Sequence, residues 1–157
     1  MPHNLLIKFE IELEEKYKKI LKPAEVVRGE PAKLILYVTN VGKEKFPGGT
    51  IKELRAEYGL KGLRRVEHTL TPPSPLTCPP LSPDETHKLY SWDLSPDDEG
   101  IARIVLIVEA EDKQPINVYQ TPKSPIGENE WSNFFYVVSR EHVLEIMLLQ
   151  ELLKRKT

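Results

Sequence analysis

A chain of 157 residues with 22 Lys+Arg against 24 Asp+Glu and a net charge of −2 is one ordinary domain, able to bury roughly two-thirds of the surface of its unfolded form; the charge balance excludes a non-specific nucleic-acid binder and leaves no acidic or basic tail. Its single cysteine, Cys78, excludes a disulfide framework and points to a reducing compartment. No window reaches the roughly 18 apolar residues of a membrane span, and "MPHNLLIKFEIELEEK" lacks the features of a secretory leader, so the chain as written reads as cytoplasmic, or as extracellular if it is a fragment of a larger surface protein.

In "LLIKFEIEL" the residues Ile7, Phe9, Ile11 and Leu13 alternate with Lys8, Glu10 and Glu12, the period of two that marks a half-buried strand, predicted over 5–13. The next stretch, "EEKYKKILKPAEVVRGEP", is ambiguous between a helical turn and a short edge strand, and Pro23, Gly29 and Pro31 break it. "AKLILYVTNVG" predicts a strand over 32–40, closed by Asn40 and Gly42. After the turn-rich "KEKFPGG", "TIKELRAEYGL" and "LRRVEHTL" predict strands 51–58 and 63–70, pairing as a hairpin across Gly59 and Gly62.

Six of the 14 prolines fall between Thr71 and Thr86. Proline donates nothing to a ladder, so this segment is expected to be an extended, polyproline-like crossing and not a central strand. Alternation resumes with Tyr90, Trp92 and Leu94 (strand 86–94) and with Ala102, Ile104, Leu106, Val108 and Ala110 (strand 101–110). The looser "KQPINVYQTPKSPIGENE" leads to a last strand over 131–138. About seven short strands separated by turns predict a mainly β chain, an immunoglobulin-like antiparallel sandwich over residues 1–138 with Trp92, Leu36, Leu106 and Val108 inside.

The period then changes. "SREHVLEIMLLQELLKRK" offers Ser139 as N-cap, Glu141 in the first turn and basic residues in the last, so residues 139–157 form one helix of about 17 residues. At about 100° per residue its apolar side chains spread over every quadrant, and a helix of this kind normally lies inside a larger core. Ile146, Leu148, Leu149, Leu152 and Leu153 are therefore expected to form an interface with a second copy, as a dimer, or with another protein.

Three stretches, in order, resemble a known family: "GEPAKLILYVTNVG", "LSPDETHKLYSWDL" with "GIARIVLIVEAED", and "ENEWSNFF". The chain resembles the CARDB domain, the cell-adhesion-related immunoglobulin-like sandwich of bacteria and archaea, over roughly residues 5 to 138. It departs from that pattern in the prolines before Leu81 and in its C-terminal helix. The resemblance implies a non-catalytic module. The 29% of charged residues, with few Asn and Gln, leans toward a thermophile's composition.

Within "IGENEWSNFF" the residues Asn129, Glu130 and Asn133 are expected to shape the turn into the last strand, since Asn bonds nearby backbone and tolerates left-handed conformations. A calcium loop from Asp112, Glu128 and Glu130 is the alternative, although the spacing matches no EF-hand loop. His3, His68, His87 and His142 are scattered without zinc-ligand spacing and read as surface residues. No nucleophile elbow or phosphate loop occurs, and Cys78 sits among prolines without a cation to activate it. Asp93, Asp97, Asp98 and Glu99 read as a solvated turn. Tyr90 and Trp92 read as core, Arg64 and Arg65 as too small a footprint for nucleic acid. The expectation is therefore a protein that is not an enzyme and holds no cofactor or metal. The alternative function is a small carbohydrate-binding module using loop aromatics such as Tyr119 and Trp131.

Overall fold

The computed structural model describes residues 2–60, 68–72, 76–97, 99–121 and 123–155. In chain order these form β1 (His3–Glu12), α1 (Glu15–Lys18), β2 (Glu25–Val27), β3 (Ala32–Asn40), β4 (Gly49–Leu60), β5 (His68–Leu70), β6 (Leu76–Cys78), β7 (Thr86–Leu94), β8 (Gly100–Ala110), β9 (Ile116–Thr121), β10 (Ser124–Glu128), β11 (Glu130–Val138) and α2 (Arg140–Arg155). One sheet runs β10-β9-β1-β3-β7 and the other β2-β11-β8-β4-β5, with β6 on the same edge of β4 as β5. The pairs β1/β9 and β11/β2 are parallel and the rest antiparallel.

The two-sheet β architecture with a C-terminal helix is the predicted one, but the described residues hold eleven strands where about seven are predicted. The additional four are β2, β6, β9 and β10. Two of them are three residues long, too short for an alternating pattern to register. β6 ends against Pro79 inside the proline-rich segment and pairs only along the edge of β4, where a missing N–H is tolerated. β10 is exposed and bulged at Pro125, so its pairing with β9 leaves no alternation to read. The ambiguous stretch after β1 holds both of its alternatives in turn, α1 and then β2. Of the strand predicted over 63–70, only His68–Leu70 lies among the described residues, paired with Ala56–Tyr58 as the expected hairpin. β4 itself continues through Gly59 to Leu60.

Inward residues of the two sheets make one core, which includes Leu5, Ile7, Leu34, Ile104, Trp131 and Phe135 together with the predicted Leu36, Leu106, Val108 and Trp92. Tyr90 meets Trp92 edge to face, ring centroids 5.1 Å apart, and is only partly buried. Phe46, from the turn-rich stretch, is fully buried and exchanges backbone hydrogen bonds with Leu81 (2.8 and 3.0 Å). That bridge pins the crossing after β6 to the core. Gly49 is required where β4 passes β8, since a Cβ there would sit 2.3 Å from the Glu109 carbonyl oxygen.

Among the described residues two polar side chains are buried, Asn40 and Glu57. Asn40 is saturated: its Nδ2 donates to the carbonyls of Glu44 and Leu81, both at 2.9 Å, and its Oδ1 accepts from the Gly42 N–H at 2.9 Å. Glu57 accepts from Arg55 and from Arg103, whose Nη2 stands 2.8 Å away. Burial alone would raise the Glu57 pKa, but the two guanidinium groups outweigh it and hold the carboxyl below its ordinary value of 4.5. Because the folded-state pKa is the lower one, the stabilisation is fully present above the unfolded pKa and lost as pH falls through the folded value. Wild type should therefore lose melting temperature more steeply than Glu57→Gln between about pH 5 and pH 3. Parallel curves would show that Glu57 does not contribute to the acid limb.

Candidate functional site

Helix α2 begins where β11 ends. The Ser139 Oγ accepts a hydrogen bond from the His142 N–H at 3.3 Å, as the N-cap predicted from sequence. Along β11, Trp131, Phe135 and Val137 point into the core, so Phe134, Tyr136 and Val138 point out of the sheet. The helix enters on that outer side. Val143 is buried with Tyr17 of α1 and Val27 of β2, and Leu13, Ile20, Leu21, Val138 and Met147 pack around them. This second, small core holds the first two turns of α2 to the sandwich.

Beyond Met147 every described residue of the helix is exposed. Leu144, Leu148, Leu149, Leu152 and Leu153 are 46, 61, 59, 44 and 64% exposed. On a helical wheel Leu148, Leu149, Leu152 and Leu153 occupy the half turned away from Val143 and Met147, with Leu144 at its edge. Leu148, Leu149, Leu152 and Leu153, four of the five side chains predicted for an interface, thus lie together on a free face, and Ile146 is half-buried at its margin. Leu144 joins them, though only its wheel position beside Leu148 signalled it. A second apolar group, not apparent from the sequence, lies on the outer face of the second sheet. Tyr136 stands opposite Ile101 across the β11/β8 ladder and Phe134 lies two residues along, all three 45 to 47% exposed.

The other candidate residues are dispersed. Asn129 adopts φ 61° at the turn between β10 and β11, the left-handed conformation expected of it. Its side chain, however, bonds distant strands: Nδ2 donates to the Val108 carbonyl (2.9 Å) and Oδ1 accepts from the Ile116 N–H (3.2 Å). Asn133 accepts from the Phe134 N–H, and Glu130 is exposed. Asp112 accepts from the Gln114 N–H and from His3 Nε2, 2.9 Å from its Oδ2, and these bonds hold its carboxyl below the ordinary range. His3 is therefore not a freely solvated residue: it is half-buried and meets Phe46 edge to face at 5.2 Å. His87 is likewise half-buried, and His142 is exposed. Among the described residues no three His, Cys, Asp or Glu side chains are grouped to hold a metal ion.

The aromatic pair of the carbohydrate reading is separated. Trp131 is a core residue, 1% exposed, because it occupies an inward position of β11 and not a loop. Tyr119 lines an open cleft of about 460 Å³ with His3, Asn4, Asn40 and Lys43, its hydroxyl donating to Asn4 Oδ1 at 3.2 Å. Asp93, Asp97 and Glu99 are exposed, with Arg28 donating to the Asp97 carbonyl at 2.8 Å; Asp98, Arg64 and Arg65 lie outside the described residues, as does the His68 side chain. Cys78 is buried, which pushes its thiol up to about 11 and leaves it inert. Among the described residues no helix is long and apolar enough to cross a membrane.

No family profile and no curated protein matches the chain. Among solved structures it is similar to the CARDB domain of a Pyrococcus furiosus protein. Against the solution structure of that domain it is 18% identical with a TM-score of 0.41, covering 88% of this chain and 97% of that one; against the crystal structure in complex with di-metal ions it is 18% identical with a TM-score of 0.42, covering 87% and 86%. A Bordetella pertussis protein assigned as ApaA is 14% identical with a TM-score of 0.48, covering 87% and 95%. A β-glucosidase of Erythrobacter marinus is 12% identical with a TM-score of 0.39; the match covers 84% of this chain but 15% of the enzyme.

Proposed function

We propose that this chain is a non-enzymatic interaction or assembly module, in which the sandwich of residues 1–138 carries the helix of residues 139–157 as its binding element and a second copy is the partner. The observation that supports this reading is the free leucine face of α2. Five large side chains left in water forgo roughly 1.5 to 3 kcal/mol of burial each, and apolar patches of this kind mark interaction sites or invite aggregation. A second copy supplies the same surface, and a two-fold axis closes it.

Light scattering on the full chain at tens of micromolar should report a dimer. A chain cut after Met147 keeps Val143 in its small core and should be monomeric with an unchanged sheet signal in circular dichroism. A monomeric full-length chain would overturn the second-copy reading.

A further inference from the structure

We infer that the free face of α2 seats on the outer face of the second sheet of the other copy, over Ile101, Phe134 and Tyr136, so that two copies exchange helices across a two-fold axis. The inference rests on α2 as the self-association surface and adds what that surface covers. Area decides between this arrangement and helix against helix. Half-exposed leucines offer roughly 100 Å² apiece, so α2 alone brings roughly 500 Å² to an interface, short of the roughly 800 Å² per partner of a stable one. Helix-on-helix packing would also leave Ile101, Phe134 and Tyr136 in water. Their exposed halves add roughly 100 Å² each, and the combined surface reaches the standard size.

The dimensions agree. Leu148 to Arg155 rise about 10 Å along the helix axis, enough to span Phe134 and Tyr136, which stand about 7 Å apart along β11. Phe134 faces Arg103 in the β11/β8 register, and Arg103 is already engaged by the Glu57 carboxylate. On the sheet side, seating a helix there strands no lone charge; on the helix side the exposed Glu145, one turn before Leu149, falls at the rim of the contact made by Leu148 to Arg155. In a two-fold arrangement each copy gives one helix and receives one, so both apolar groups are covered at once.

Cysteine cross-linking on the full chain tests this. Leu152→Cys and Phe134→Cys proteins are mixed, allowed to exchange subunits, and oxidised with oxidised glutathione; Cys78, buried and with its thiol pushed up to about 11, stays out of the reaction. The expected product is a disulfide between the two variants, with little cross-linking of either alone. Cross-linking of Leu152→Cys with itself would overturn the inference and leave the α2 interface standing. A monomeric full-length chain would remove both. Independently, Phe134→Asp should weaken dimerisation by at least about 30-fold, as at an interface hot spot, with the melting temperature of the dissociated chain unchanged; an unaltered dissociation constant would overturn the inference.

Discussion

Trp131→Ala is expected to cost about 3 to 5 kcal/mol, the range for deleting a core aromatic, which in a chain of this size lowers the melting temperature by about 10 °C or more. Trp131 lies on the inner face of β11 and meets Phe9 of β1 edge to face, ring centroids 6.3 Å apart. It thus joins the two sheets across the core. Among the described residues its buried indole N–H has no hydrogen-bond partner, an arrangement that itself costs about 1 to 3 kcal/mol. Trp131→Phe removes that donor along with some volume, and the two effects oppose each other. The phenylalanine variant should therefore sit within about 1 kcal/mol of wild type, far from the alanine variant. Chemical denaturation of both variants checks this. A Trp131→Ala loss below about 1 kcal/mol would place the side chain in solvent and restore it as a ligand platform.

Asn129→Ala should cost about 3 to 4 kcal/mol, for two separable reasons. Alanine in the left-handed region costs about 1 to 2 kcal/mol, and the lost side chain leaves the Val108 carbonyl and the Ile116 N–H without partners, at about 1 kcal/mol or more each. Asn129→Gly relieves the backbone cost but not the hydrogen bonds, so it should recover about 1 kcal/mol relative to alanine. Asn129→Asp keeps an acceptor for Ile116 and sets a carboxylate against the Val108 carbonyl, so it should fall between wild type and alanine. Equal stability of the glycine and wild-type proteins would show that the strand-bridging bonds contribute nothing. The effect is large because one residue ties β8, β9 and β11 together.

These two residues also show where the sequence was and was not legible. Asn129 makes the turn its sequence context predicts, because left-handed tolerance and a short polar side chain are local properties. Its bonds to Val108 and Ile116 span 21 and 13 residues, a separation that no local pattern encodes. The sequence pattern puts Trp131 on the last strand, where it lies, while the carbohydrate reading needs it in a loop. Inward or outward orientation at the first inward position of a strand depends on which sheet lies beneath it.

The long strands were readable from residues 5–13, 32–40, 86–94, 101–110 and 131–138 because a sheet with one buried face imposes a period of two on its sequence. The helix and its Ser139 cap were readable for the same kind of reason, a change of period and a polar side chain at its start. β2, β6, β9 and β10 escaped because short or edge strands are held by their neighbours and not by their own pattern. The leucines of α2 were visible as an excess of apolar residues over what one face can bury. Which of them stay free, Leu144 and Leu148 onward, and which dock, Val143 and Met147, follows from where Tyr17 and Val27 close a small core beneath the first two turns. The patch of Ile101, Phe134 and Tyr136 likewise arises from the β11/β8 register, which places side chains 33 to 35 residues apart on one face of one sheet. Composition and periodicity determine which elements form; long-range pairing determines which of their faces remain for a partner.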